Sequence, residues 1–219
     1  MSEEAELSAA AGFVEADLKA EFPGLRLDWI RVESPLRGSP PEVQQRLRSL
    51  SNRYRGANVV AMRTQPIPHA YRAFFRQIGL DPDTTRIPSE AAAVARLLHG
   101  NFRSSNLLED ALLIALVETG VPLWALDGDL VDAGGLGIRT TMEGDRLGTT
   151  EYGSYLPPGR LAVADANTVH ALLFGEIAPG HEVARRTQRV VLFAVGVEGV
   201  PAIHIEEALW LCVEVLGVV

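Results

Sequence analysis

The chain changes character at Val121. Before that point, apolar residues recur at helical spacing between recognisable start and stop signals. From Val121 to Gly199 the chain turns to glycine, threonine and valine, with short apolar runs between glycine and proline clusters. Segregating helical from strand-like segments in this way directs a chain to an α+β fold, since alternating units are what a parallel α/β sheet requires. Six helices are expected. Leu7, Ala11, Val14 and Leu18 form the stripe of a first helix from about Glu3 to Ala20, ended by Pro23-Gly24. Leu25, Leu27, Trp29 and Val32 then read as a strand. Ser39 as N-cap, Pro40 at N1 and Glu42 at N3 predict a capping box, with Val43, Leu47, Leu50 and Tyr54 facing inward and Gly56 ending the helix. Pro68 opens a third helix with Tyr71, Phe74, Phe75 and Ile78 on one face. Ser89-Glu90 opens a fourth, ending near Leu98. Asn106 caps a fifth, which Gly120 ends, and a sixth follows Pro201 over about Ile205 to Leu216.

The strand-like runs are Gly137–Thr141, Arg160–Ala164, Val169–Phe174 and Arg189–Val197. They predict a strongly bent sheet or small barrel with flanking helices. No linker divides the chain, so residues 1–219 are expected to form one domain, with 1–66 as an N-terminal helix-strand-helix portion and 67–219 as the core.

Charge and cysteine content narrow the function classes. Formal net charge is −8, and of 20 basic residues Lys19 is the one lysine. An acidic chain is not a default nucleic-acid binder, and no DNA partner is expected. Arginine is nevertheless the side chain best suited to bidentate phosphate contacts. Arg46, Arg48, Arg53 and Arg55 cluster on the second helix, and Arg185, Arg186 and Arg189 near the last strand. Either cluster is a candidate RNA contact or a solvated face. Cys212 is the single cysteine, which excludes an intramolecular disulfide and fits a reducing, cytoplasmic setting. It reads as a small buried hydrophobe. Met1-Ser2-Glu3-Glu4 lacks the order of a signal peptide, and no apolar run is long enough to span a membrane, so no membrane partner is expected.

Generic chemical motifs are absent. Ala133-Gly134-Gly135-Leu136-Gly137 precedes a strand and not a helix, so it offers no helix N-terminus to a pyrophosphate. The five histidines show no metal-ligand spacing, and no metal or cofactor is expected.

A series of short stretches carries more. Thr84-Thr85-Arg86-Ile87-Pro88-Ser89-Glu90-Ala91 is followed by Ser105-Asn106-Leu107-Leu108-Glu109-Asp110. Next comes Glu118-Thr119-Gly120-Val121-Pro122-Leu123-Trp124-Ala125-Leu126-Asp127. Ile138-Arg139, Glu143-Gly144-Asp145, Val163-Ala164-Asp165, Phe174-Gly175 and Thr187-Gln188-Arg189-Val190 complete the order. From about Tyr71 to Val195 this series resembles the tRNA-editing (B-three/B-four) domain of the phenylalanyl-tRNA synthetase beta subunit, and more closely the stand-alone proteins made of that domain. The resemblance implies an α+β fold with a barrel-like sheet. It also implies a pocket for the aminoacylated 3′ end of a tRNA, where a mischarged ester is hydrolysed by a placed water and oxyanion donors.

Carried over residue by residue, the resemblance puts Asn106 at the pocket entrance, Gly175 where backbone meets substrate, and Asp127 at the end of its motif. The synthetase's pocket histidine falls on Trp124 and its glutamate on Phe193, neither of which can act as a base. Three readings therefore stand. A trans-acting deacylase would draw on Asn106, Glu143, Thr168 and His170, with His170 as candidate base. A non-catalytic binder of an aminoacyl-tRNA end, a small amino acid or a nucleotide would use Trp124 and Phe193 for stacking. An interaction module would have a degenerate pocket.

Overall fold

The computed structural model describes residues 8–33, 35–54, 56–132, 135–149 and 153–218, with Asn58 described by its backbone alone. Among these residues lie seven helices and eight strands, and the strands form two four-stranded sheets. The fold is α+β as expected. The strands divide between two open sheets, and no barrel closes.

The first sheet has the order β1-β3-β8-β4: β1 (Ala10–Ala11), β3 (Arg26–Glu33), β8 (Arg189–Gly196) and β4 (Leu123–Asp127), all antiparallel. β8 lies between its two longest partners, and every residue from Val190 to Gly196 is buried. That explains why β8 reads as an unbroken apolar run, since both of its faces are covered. β4 is covered in the same way. Leu123-Trp124-Ala125-Leu126 shows no alternation, and no strand is expected there from sequence. The second sheet has the order β2-β5-β6-β7: β2 (Phe13–Val14), β5 (Gly137–Thr140), β6 (Leu161–Ala164) and β7 (Val169–Leu172). A register shift falls at Val163/Ala164.

The N-terminal segment corrects the expected first helix. Helix α1 covers only Ala16–Glu21, and the residues before it pair instead. Ala10 and Ala11 lie against Trp29 and Asp28, whereas Phe13 and Val14 lie parallel to Gly137 and Ile138. Gly12 is the crossing point between the two sheets, and its N–H donates to the Leu27 carbonyl at 2.7 Å. A Cβ there would collide with the Leu136 carbonyl oxygen and sit 2.7 Å from Leu27 Cδ2. Completing two sheet edges with one segment outweighs a weak helical stripe. Glu3 and Leu7 lie outside the described residues.

Helix α2 (Pro41–Arg53) buries Val43, Leu47 and Leu50 as expected, but no capping box forms. The N-cap is Pro40, and the Ser39 hydroxyl donates to the buried Asp110 carboxylate instead. Asp110 also accepts from the Ser104 hydroxyl and the Ser105 N–H. A further helix, α3 (Gly56–Met62), begins at the glycine expected to end α2.

Helix α4 (Pro66–Gln77) buries Tyr71, Phe74 and Phe75, and α5 (Pro88–His99) follows. α6 (Leu107–Thr119) has the expected cap, Asn106, whose side chain accepts from the Glu109 N–H at 3.0 Å. α6 ends at Gly120 in the left-handed conformation (φ 78°), as a C-terminal glycine allows. α7 (Ala202–Leu216) packs on α6 and on β3 and β8, and buries Cys212 completely. That burial pushes the thiol up to about 12, far from a reactive thiolate. No helix among the described residues is long and apolar enough to cross a membrane.

Candidate functional site

A groove of about 360 Å³ runs between α6, β4 and the segment after β7. Leu108, Leu112 and Leu116, spaced one turn apart, form its helical wall; Trp124 and Ala125 form its floor; Ile177, Glu182 and Val183 form the far wall. Two carboxylates, Glu109 and Glu182, stand on this otherwise apolar lining, and both are solvent-exposed. Glu182 accepts from the Gly180 N–H at 2.8 Å.

Trp124 is the pivot of the floor. It pairs in register with Phe193 across β4 and β8, and the two rings stack with centroids 5.5 Å apart and planes 16° apart. Phe174 meets the indole edge-on at 5.5 Å and also packs against Tyr71, Phe74 and Phe75. Phe174 has φ 56°, the one non-glycine residue among those described in the left-handed region. For a bulky side chain that conformation is strained. Four aromatic neighbours hold the ring in place, and it in turn supports the groove floor. Phe193 is core, only 2% exposed, so the stacking role expected of it goes to Trp124 and not to a ligand.

The other sequence-derived candidates are dispersed. Asn106 is occupied as the α6 cap, one turn from Glu109. Gly175 lies in the turn after β7, where its N–H donates to the Leu172 carbonyl and a Cβ would meet Leu172 Cβ at 2.8 Å. Its smallness therefore serves the turn. Asp127 is buried at the end of β4 and accepts from the Thr187 hydroxyl at 2.8 Å. Glu143 is exposed in a turn.

His170 is fully buried. Its Nε2 lies 2.8 Å from Asp165 Oδ2, and its Nδ1 lies 2.8 Å from Nδ1 of His181, which is itself 3% exposed. Asp165 also accepts from the Asp132, Asn167 and Thr168 N–H groups, which is where Thr168 enters the arrangement. Burial raises the Asp165 carboxyl, but these bonds, together with His170, hold it below the usual carboxylate range. Burial, and then the neighbouring His170, lowers the basicity of His181. This enclosed Asp-His-His chain does not line the groove. His170 as placed, fully buried and off the groove lining, does not reach a water in it.

The arginines divide. Arg46 makes two bonds to Glu118, at 2.9 and 2.8 Å, and Arg189 pairs with Asp129 at 2.8 Å. Arg48 and Arg53 are exposed on α2, away from the groove lining, and Arg55 lies outside the described residues. Arg185 and Arg186 are exposed in the turn that follows the groove wall at Glu182 and Val183.

Sequence reasoning missed the acidic pair of the groove and the His170–His181 contact. One signal was available: Ala111 to Val117 of α6 is an unbroken apolar run of two turns, wider than one core contact uses, so a second apolar surface faces something else. Glu182 and His181 sit in irregular chain, where no periodicity marks them. Among the described residues no group of three or more His, Cys, Asp or Glu side chains is arranged to hold a metal. No protein-family model matches the chain, and no curated protein matches it at a significant level.

Proposed function

We propose that the chain binds the aminoacylated end of a tRNA in trans, without itself hydrolysing the ester. The observation that carries this reading is the groove beside Trp124: an apolar slot with two exposed carboxylates, Glu109 and Glu182, and a strained aromatic cluster beneath it. An apolar amino-acid side chain would lie along Leu112 and Trp124. Its ammonium would face the carboxylates, which also disfavour a free carboxylate and so prefer the ester over the free acid. Arg185 and Arg186, beyond the groove wall, would meet the terminal phosphates. The motif series that resembles the editing domain supports the same ligand. The enclosure of His170 favours binding over hydrolysis, because no histidine lines the groove and its two carboxylates, Glu109 and Glu182, are assigned to the ligand's ammonium.

The test combines thermal stabilisation by amino-acid esters with a hydrolysis assay. Leucine and phenylalanine methyl esters are expected to raise the melting temperature more than the free acids or their N-acetyl derivatives. Trp124→Ala is expected to weaken binding about tenfold, as the loss of a stacking contact would. A panel of mischarged tRNAs should show no amino-acid release above buffer. Absence of stabilisation by every ester would overturn the binding reading, and release from any mischarged tRNA would make the protein a deacylase.

A further inference from the structure

A second cavity, of about 340 Å³, lies at the C-terminal end of α6, whereas the Trp124 groove runs along the helix from Leu108 to Leu116. The C-terminal turn of α6 meets the N-terminal turns of three helices there: Pro66-Ile67-Pro68 of α4, Ser89 of α5, and Pro201 at the cap of α7. None of these three helices has a side-chain cap. First-turn N–H groups have no acceptor within their own helix. Pro66 and Pro68 carry no N–H, which leaves Ile67 as the lining donor at the start of α4, while α7 contributes Pro201 and His204 to the lining.

Ser89 makes this more than a set of helix ends. It is only 6% exposed, lines the cavity, and its hydroxyl has no hydrogen-bond partner. The neighbouring hydroxyls are committed: Tyr54 donates to the Val117 carbonyl at 3.2 Å and Thr119 to the Ala115 carbonyl at 2.7 Å. A buried hydroxyl without a partner, near the first-turn N–H of Ile67, can donate to an acceptor in the cavity.

We propose that this cavity binds a small monocarboxylate with an apolar body, its carboxylate accepting from the Ser89 hydroxyl and the first-turn amide of Ile67 in α4. The charge of the surroundings selects the class. Glu118 lines the cavity but is neutralised by the two-point contact with Arg46, and Glu90, next to Ser89, is neutralised by Arg72 at 2.9 Å. The N-terminal ends of α4, α5 and α7 favour a negative charge there and the C-terminus of α6 opposes it, which suits a single charge at most. No arginine or lysine lines the cavity, and its histidine, His204, already contacts Glu207 at 3.1 Å, so the lining is poorly matched to a phosphate dianion. Met62, Ile67, Val117 and the prolines supply the apolar wall for the rest of the ligand.

The test is titration of the full chain with phenylacetate and 4-methylpentanoate, against phenylacetamide and 4-methylpentanol. Both acids are expected to raise the melting temperature saturably, and the neutral analogues are not. Ser89→Ala, which introduces a good helix former, should weaken acid binding about tenfold, whereas Trp124→Ala should leave it unchanged. Amide chemical-shift changes should centre on Ile67, Ser89 and Thr119, a readout that does not depend on any variant folding. The proposal is overturned if neither acid binds, if the amide binds as well as the acid, if Ser89→Ala folds and binds normally, or if the shifts centre on the Trp124 groove. Because Trp124→Ala and the ester titration address the groove alone, failure here and failure of the tRNA-end reading are separable.

Discussion

At the residue scale, the Asp165-His170-His181 chain is a buried polar network set apart from the groove. The bond between the two Nδ1 atoms needs one proton and one lone pair, so the imidazoles cannot both be charged while it persists. His181 Nε2 is buried without a partner, close to Gly148, whose Cβ position would lie 3.6 Å from it. Unfolding lets His181 take up a proton near its ordinary value of about 6.5, which the folded state resists. The unfolded state therefore binds more protons below that pH, and stability falls as the solution is acidified. Asp165, held low, adds a further loss as pH falls through the carboxylate range. Melting temperature is expected to be flat above about pH 7 and to decline from about pH 6.5 downwards, with a shallower decline in His181→Gln. A profile that rises on acidification, or one unaltered in the variant, would contradict the assignment.

At the element scale, α6 joins the two cavities and fastens the helical layer to the sheet. Its N-terminal cap is local: Asn106 accepts from Glu109. Asn106→Ala should cost about 1 kcal/mol, or about 2–4 °C in melting temperature for a chain of this size, and leave ester binding in the groove intact. Loss of binding without loss of stability would instead make Asn106 a ligand contact. The start of α2 is governed from a distance. Ser39 bonds Asp110 across 71 residues of sequence, so the motif read as a capping box ties α2 to α6 instead. The aromatic stripe of α4 and the apolar run of β8 were legible because burial on one face or two leaves a direct imprint on hydrophobic pattern. β4 was not, because a five-residue run with both faces covered carries no period.

At the scale of the whole molecule, the two sheets are joined through Gly12. One short segment supplies an edge strand to each, and backbone passes so close to Leu136 and Leu27 that no side chain fits between them. Gly12→Ala should destabilise by about 1–3 kcal/mol through overpacking, measured as a lower urea midpoint, while Gly38→Ala, with nothing within 4 Å of its Cβ position, should change the midpoint little. Equal midpoints for the two variants would remove Gly12 from its role as the crossing point. The net charge of −8 also acquires a distribution at this scale. Arg46, Arg72 and Arg189 are spent on internal carboxylates, and Arg185 and Arg186 stand exposed beside the groove.

The sequence by itself determined the α+β class, the spans of α4, α5, α6 and α7 to within a few residues, the strand runs of β5, β6, β7 and β8, and the burial of Cys212. Each follows from composition, hydrophobic period or a cap that neighbours in the chain supply. Tertiary structure alone decided that Ala10–Val14 is shared between two sheets, that Ser39 answers to Asp110, that His170 is sealed against His181, and that Glu109 and Glu182 face one groove. Those outcomes rest on partners brought together by folding. A polar side chain takes whichever hydrogen-bond partner burial leaves it, and a short apolar segment takes whichever unpaired edge it reaches, so neither choice is written in local pattern.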